Sequence, residues 1–292
     1  MDETVTLSPA IDILAPGEQT IPLVFASPHS GSAYPPEFLR EAALGPDSLR
    51  LSEDVFVDRI FAPVVERGVP LLRALFPRAL LDPNREPYEL DPAMFEEELP
   101  DFVNTASPRV AHGLGTIPRV VCAGRSIYAR KLSFAEAERR IQTFYHPYHR
   151  ALAALVENTR ARFGYCVLVD CHSMPSSTGP LGANAQSSRI DIAVGDCFGI
   201  SCASALTAAV EAVFRALGYR VERNIPYAGG FTTRHYGQPG TGVHAVQIEI
   251  NRRLYLNEST REPLPGMEEL KAAVAPLIDA VIAVPEQELC AS

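Results

Sequence analysis

Residues 164–175 read GYCVLVDCHSMP, an apolar run that follows a glycine and ends in polar residues. An apolar run without alternation predicts a strand buried on both faces, as in a parallel sheet covered by helices. Residues 22–31, PLVFASPHSG, have the same pattern. Apolar periodicity predicts helices over 51–67, 133–163 and 268–284. The sequence therefore predicts an α/β fold whose central sheet, mostly parallel or mixed, is flanked by helices.

The composition restricts the classes of partner. The chain has 292 residues, 47% of them apolar, and a formal net charge of −9. It has no Lys/Arg cluster, so nucleic acid and anionic membranes are not expected as partners. No apolar run approaches the about 18 residues that a membrane span needs, and the acidic start lacks the pattern of a signal peptide. We expect a soluble, cytoplasmic protein.

Polar side chains follow the two apolar strands. His29 comes after the first strand and His172 after the second. Ligand sites of such sheets form at the carboxyl ends of strands, so the two histidines are expected to converge. Two histidines and a carboxylate are a common ligand set for catalytic zinc. The carboxylate is expected from Asp54 or Asp58, at i and i+4 on the predicted helix, and Asp54 is favoured because it lies nearer the loop of His29.

A further strand, predicted over 243–250, carries Glu249. Apolar and polar residues alternate along it, and Glu249 belongs to the polar face. If residues 251–253 form an exposed edge, Glu249 makes a surface salt bridge. If Glu249 faces the metal, it is the general base that deprotonates water. The spacing alone does not choose between these two interpretations.

Other residues with reactive side chains are weaker candidates for the functional site. His172 followed by Ser173 suggests a serine hydrolase, but the GxSxG turn of that class is missing. His146 and His149 lie at i and i+3, and Pro147 between them favours packing over a second metal site. The six cysteines contain no CxxC pair, so zinc held by thiolates is not expected.

Eight blocks of the sequence together resemble the N-formylglutamate amidohydrolase family. In chain order they are SPHSG (27–31), DVFVDRIF (54–61), LLDPNREP (80–87), GLGTIPRVV (113–121), PYHRAL (147–152), VLVDCHSMP (167–175), DIAVGD (191–196) and AGGFTTRHYGQPGTGVHAVQIEINRRLY (228–255). The family is similar to zinc carboxypeptidases in its α/β architecture. The resemblance therefore implies that residues 1–292 form a single domain with a central mixed sheet.

The resemblance implies roles for seven residues. One divalent metal, Zn²⁺, is bound by His29, Asp54 and His172. The general base and acid is Glu249. The substrate-binding residues are Asn84, Arg85 and Arg234. The two arginines suit this role because a planar guanidinium binds a carboxylate bidentately.

The activity implied is hydrolysis of the amide bond of a small-molecule N-acyl amino acid, with N-formyl-L-glutamate giving formate and L-glutamate. The chain departs from the deformylases at residues 52–56, SEDVF, where they carry Asp-Thr-Asp-Trp-His. Two alternatives stay open: a deacylase of another N-acyl amino acid or peptide, and a non-catalytic amino-acid-binding homologue. The two histidines and Glu249 are retained, which favours catalysis. The sequence does not indicate an oligomeric state.

Overall fold

A computed structural model describes residues 9–121, 124–176 and 190–290, in which seven strands form one sheet and two short strands pair separately. The strands are β1 (Ile11–Leu14), β2 (Leu23–Ser27), β3 (Leu71–Ala74), β4 (Val120–Val121), β5 (Arg125–Ser126), β6 (Cys166–Met174), β7 (Ile192–Gly195), β8 (Val221–Arg223) and β9 (Val243–Asn251). The α-helices are α1 (Pro36–Glu41), α2 (Pro46–Leu49), α3 (Val57–Phe61), α4 (Pro108–Ala111), α5 (Phe134–Arg140), α6 (His146–Phe163), α7 (Ser204–Ala216), α8 (Phe231–Tyr236), α9 (Gly266–Ala272) and α10 (Val274–Ile282). Each helix within the described ranges is too short or too polar to cross a membrane.

The main sheet is parallel in its centre and antiparallel towards both sides. Its strand order is β1-β3-β2-β6-β9-β7-β8. The neighbours β3, β2, β6 and β9 run parallel, whereas β1 is antiparallel to β3 and β7 is antiparallel to β9. The predicted α/β fold with a mostly parallel or mixed sheet is confirmed. Because β2, β6 and β9 are parallel neighbours, their carboxyl ends lie side by side.

Helices cover both faces of the sheet. On one face, α3, α7, α9 and α10 pack against strand residues such as Val169 and Ile248. On the other face, α1, α2, α5 and α6 pack against residues such as Leu168 and Ala245. Successive residues of a strand point to opposite faces, so the central strands β3, β2, β6 and β9 contribute to both cores. This explains why β2 and β6 are apolar without alternation.

The prediction of one helix over 51–67 is wrong for most of that range. The α-helical part is Val57–Phe61, and 3₁₀ turns at Arg50–Ser52 and Ala62–Arg67 flank it. Phe56, directly before the helix, has a left-handed backbone with φ 66°. A right-handed helix cannot continue through such a residue, so the three short turns only imitate the spacing of one long helix.

The two other predicted helices are present but interrupted. In the first, a π-helical turn at Ile141–Tyr145 separates α5 from α6. It directly precedes Pro147, which has no N–H to donate to the preceding turn. Ser133 caps the start of α5 by accepting a hydrogen bond from Glu136 N, as its sequence pattern predicts. The predicted C-terminal helix is divided into α9 and α10, shortly before Pro276.

Candidate metal centre and active site

His29, Asp54 and His172 meet at the carboxyl end of the sheet and form a cluster that could hold a metal ion. The Nδ1 atoms of His29 and His172 are 3.2 Å apart. Asp54 Oδ2 lies 3.4 Å from His29 Nδ1 and 3.2 Å from His172 Nδ1. All three side chains are buried. Buried polar donors and acceptors that converge in this way require a partner, and a cation between them would provide one.

The spacing of these three atoms fits a tetrahedral metal ion. Zinc–ligand distances of about 2.0–2.1 Å place the ligand atoms of a tetrahedron about 3.3–3.4 Å apart. The observed separations are 3.2, 3.2 and 3.4 Å. Two imidazoles and one carboxylate also leave a fourth position for water or substrate, as catalytic zinc sites do. The residues present therefore fit one divalent metal.

Each histidine of the cluster has a carboxylate behind it. Asp82 Oδ1 is 2.7 Å from His29 Nε2, and Asp170 Oδ1 is 3.0 Å from His172 Nε2. At His29 this hydrogen-bonded partner holds the proton on Nε2 and turns Nδ1 towards Asp54 and His172. Burial lowers the pKa of His172. The charge of Asp170 and the hydrogen bonds with Asp170 and Asp54 outweigh burial and hold the pKa well above its ordinary value. Neither carboxylate was predicted as a partner of the histidines, although Asp170 stands two residues before His172 and so shares its face of the strand.

Asp54 presents one of its oxygens to the histidines. The other oxygen, Oδ1, accepts hydrogen bonds from Ser173 Oγ and Arg252 Nη2, both at 3.0 Å. Burial raises the pKa of Asp54, but hydrogen bonds from His172 and His29 and the charge of Arg252 outweigh it and hold the pKa well below its ordinary value. Asp54 is thereby fixed as an ionised carboxylate that offers Oδ2 to the two histidines.

The structure separates Asp54 from Asp58. Asp54 N donates a hydrogen bond to His29 O at 3.0 Å, which holds Asp54 beside the first histidine. Asp58 Oδ2 accepts from Arg73 Nη1 at 3.1 Å, and its Oδ1 accepts from Arg59 N. The expectation that both aspartates share one helix face is wrong, because Asp54 precedes α3. Of the two candidates, Asp54 belongs to the cluster.

Glu249 lies beside His172 in the sheet. The two are register partners in the parallel strands β9 and β6, so their side chains share a face. Glu249 is buried, which rules out the surface salt bridge. Burial raises the pKa of Glu249 to about 7, with the charge of His172 lowering it and that of Asp54 raising it. A carboxyl group that exchanges a proton near neutral pH therefore lies next to the metal cluster.

Arg78 also faces this site, and its place there was not predicted from the sequence. Its Nε donates to Asp82 Oδ2 at 3.0 Å, so one carboxylate joins Arg78 to His29. Burial lowers the pKa of Arg78, but the charges of Asp82, Asp54 and Glu249 raise it above its ordinary value. The Arg78 side chain is nevertheless 26% exposed. No periodic pattern points to Arg78, because it lies in an irregular segment.

The chain is similar to known proteins in both sequence and structure. A family model described as N-formylglutamate amidohydrolase matches residues 21–256. The chain belongs to this family. N-formylglutamate deformylase of Pseudomonas aeruginosa is 31% identical over 271 residues, 90% of this chain and 93% of that protein. N-formylglutamate deformylase of Pseudomonas putida is 27% identical, over 86% of each chain.

A solved structure gives the same family and fold. The crystal structure of N-formylglutamate amidohydrolase from Ralstonia eutropha JMP134 is 36% identical to this chain. It matches with a TM-score of 0.86 over 95% of this chain and 99% of that one. The resemblance found in the eight sequence blocks is therefore confirmed at the level of the family.

Asn84 joins two parts of the site in this N-formylglutamate amidohydrolase family member. Its Oδ1 accepts from Thr232 N, at the start of α8, at 2.8 Å. Its Nδ2 lies 3.2 Å from His172 Nε2 and 3.5 Å from Asp170 Oδ2. A Cβ on Gly230 would come within 2.2 Å of Asn84 Nδ2, so the close approach requires glycine. The substrate-binding role of Asn84 stays a prediction.

Arg85 holds backbone groups in the structure. Its Nε donates to Leu114 O and its Nη1 to Asn84 O, both at 2.8 Å. Its Nη2 is 3.4 Å from Asp82 Oδ2. Burial lowers the pKa of Arg85 to about 10. These contacts tie the segment of Leu114 to the site, and the substrate-binding role of Arg85 stays a prediction.

We expect Arg85→Met to lower the free energy of unfolding by about 1–3 kcal/mol, because buried carbonyl oxygens lose their donor. Urea denaturation followed by circular dichroism measures the change. Arg130→Met is the control, since Arg130 is exposed and pairs with Glu41 at 3.2 Å; a surface pair contributes at most about 1 kcal/mol. Unchanged stability together with a raised KM for the substrate would instead favour substrate binding by Arg85.

Arg234 is exposed on α8. Burial raises the pKa of the Cys197 thiol, and a hydrogen bond with Ser201 and the charge of Arg234 oppose that rise. Cys197 lies in the loop that follows β7. The helix that carries it begins at the residues held by Asn84, so Arg234 lies on an element attached to the site. Its substrate-binding role also stays a prediction.

His149 has the contacts of a packing residue. Its Nε2 lies 2.8 Å from Pro83 O, and its Nδ1 lies 3.0 Å from Tyr236 OH. Burial lowers the pKa of His149 to about 4, so the ring is neutral, with Nε2–H donating to the carbonyl and Nδ1 accepting from the hydroxyl. The arrangement agrees with the packing interpretation and supports the turn that contains Asn84.

Proposed function

We propose that the protein is a zinc-dependent amidohydrolase that converts N-formyl-L-glutamate into formate and L-glutamate. The observation that carries this proposal is the three-residue cluster with Glu249 in register beside His172. Membership of the N-formylglutamate amidohydrolase family and the relatives named N-formylglutamate deformylase support the choice of substrate.

We assign one Zn²⁺ to His29 Nδ1, His172 Nδ1 and Asp54 Oδ2. When bound, zinc supplies Lewis-acid chemistry, because it polarises the amide carbonyl and lowers the pKa of water towards ~7. Asp82 keeps the proton of His29 on Nε2, away from the metal, and the negative charge of Asp170 lies 3.0 Å from Nε2 of His172. Because Oδ1 of Asp54 is held by two hydrogen bonds, Asp54 would hold the ion through Oδ2.

Glu249 is the proton-transfer group in this proposal. An amide is stabilised by resonance, so hydrolysis requires an activated water and a proton for the leaving amine. Glu249 accepts the proton of the attacking water and then delivers it to the amine nitrogen. Its carboxyl suits both steps, because burial raises its pKa above the ordinary value, towards neutral pH. A group works best as acid and base when its pKa is close to the working pH.

We assign a substrate carboxylate to Arg78, whose Nε is fixed by Asp82 and whose guanidinium suits bidentate binding. Arg78→Met is expected to raise KM for N-formyl-L-glutamate by about 10–100-fold, because a hydrogen bond to a charged group contributes about 1.5–3 kcal/mol. Steady-state kinetics measures the change, and kcat is expected to change less. Arg40→Met, at a surface position of α1, is the control. An unchanged KM with full zinc content would contradict the assignment.

The proposed reaction is tested by measuring release of the free amino acid, L-glutamate or L-alanine, by protein that has been stripped of metal and reconstituted with Zn²⁺. The panel contains N-formyl-L-glutamate, N-formimino-L-glutamate, N-acetyl-L-glutamate and N-formyl-L-alanine. We expect zinc-dependent turnover with the highest kcat/KM for N-formyl-L-glutamate. Preferred hydrolysis of another compound would favour the alternative deacylase. Binding without turnover at full zinc occupancy, measured by calorimetry, would favour the amino-acid-binding homologue.

A further inference from the structure

Gln247 connects Glu249 to the loop that precedes α8. Its Nε2 donates to Glu249 Oε1 at 3.0 Å, and its Oε1 accepts from Gly230 N at 2.9 Å. A carboxylate only accepts hydrogen bonds and a backbone N–H only donates them, so these two contacts fix the orientation of the amide. Gln247 is buried and is paired in register with Asp170, two positions before the pair of Glu249 and His172.

The loop at the far end of this connection is itself closely packed. Gly229 has φ 127°, a conformation that favours glycine. Ala228 packs so tightly on Gly195 that a Cβ on Gly195 would lie 2.7 Å from the carbonyl carbon of Ala228. Gly195 pairs in register with Gln247, so this contact holds the loop against the strand beside Gln247. The donor at Gly230 N therefore has a defined position.

We propose that Gln247 is a positioning residue that holds the Glu249 carboxylate in the orientation required for proton transfer. A glutamate side chain has several rotatable bonds, and the charges of His172 and Asp54 act on it in opposite senses. The donor on Oε1 fixes the plane of the carboxylate and assigns proton transfer to Oε2. The inference rests on the proposed function, because it concerns the orientation of its general base.

Gln247→Met tests this inference, since the variant keeps the length of the side chain and loses both hydrogen bonds. We expect kcat to fall by about 10–100-fold, the effect of a slight misplacement of a reacting group, with KM and zinc content little changed. Gln247→Glu is a second variant of nearly native shape, which keeps the acceptor for Gly230 N and removes the donor to Glu249. It should lose at least as much kcat. Gln238→Met, the same change at an exposed position, is the control.

A double-mutant cycle separates positioning from a merely structural role. In the background of Glu249→Gln, Gln247→Met is expected to cause no further loss of kcat, because the group that it orients is already absent. A structural role would lower kcat by the same factor in both backgrounds and would overturn the inference. Normal kcat in both Gln247 variants, measured beside an active wild type, would overturn this inference and leave the proposed function standing. A wild type that turns over no compound of the panel would overturn the proposed function and this inference together.

Discussion

Glu249→Gln is expected to lower kcat by about 10²–10⁴-fold, the usual contribution of general acid–base catalysis. The amide is nearly isosteric with the carboxylate, so the packing of β9 should survive, but it cannot accept the proton of water. Zinc content should be unchanged, because Glu249 is not among the three clustered residues. Formate release and metal analysis of the same preparation measure both quantities. Near-normal kcat would refute the assignment, and loss of zinc would make Glu249 a ligand.

The pH dependence gives a second check on Glu249. Burial raises the pKa of its carboxyl from 4.5 to about 7 in the metal-free protein, and a bound cation opposes this rise. The base acts when deprotonated, so kcat/KM should fall as the pH drops through a value between 4.5 and about 7. The stability of the metal-free protein changes with pH in the opposite direction to kcat/KM. A raised carboxyl pKa favours the protonated folded state, so stability is lost as the pH rises from 4.5 to about 7. Glu249→Gln should remove that loss.

Changing a residue that supports a metal ligand weakens metal binding by about 10–100-fold. Asp54→Asn changes a proposed ligand itself and is expected to weaken zinc binding by more than that. The neutral amide is a poorer ligand, and activity should fall with metal occupancy. Asp58→Asn is the matched control, because it makes the same change four residues along the chain at a side chain bound to Arg73. Competition with a chelator of known affinity measures both variants.

Asp54→Asn also leaves Arg252 buried beside a neutral group, and removing one partner of a buried ion pair costs about 3–5 kcal/mol. Circular dichroism should therefore establish that the variant is folded before its zinc affinity is measured. His172→Gln provides a second variant that leaves the pair of Asp54 and Arg252 intact. Retained zinc in Asp54→Asn together with lost zinc in Asp58→Asn would contradict the ligand set.

The strands and the residues at their ends could be predicted because their signals are local. An apolar run of five residues or more identifies β2 and β6, and a polar residue after such a run is conspicuous. His29 and His172 were found in this way. The strand β6 nevertheless extends to Met174, so His172 lies within the strand and not in a loop after it. Register with β9 then brings Glu249 to its side.

The residues that support the site could not be predicted in the same way, because their contacts are tertiary. Asp82 and Arg78 lie in an irregular segment after β3, and only the folded chain brings them to His29. The segment also buries Arg85 against backbone carbonyls, which its charge alone would not indicate. Gln247 looked like one more polar residue of an alternating strand. One partner, Glu249, lies on the same strand, but the other, Gly230, comes from the loop before α8, and only the folded chain brings it there.

The alternation of β9 restricts where the chain can change its length. Val246 and Ile248 face the core formed with α7 and α10, while Gln247 and Glu249 face the site. One residue inserted or deleted just before Gln247 would exchange the two faces. The carboxylate would then enter the apolar core, and an isoleucine, Ile248 or Ile250, would stand beside His172. Differences in length among members of the family are therefore expected in the connections between elements, and not inside β6 or β9.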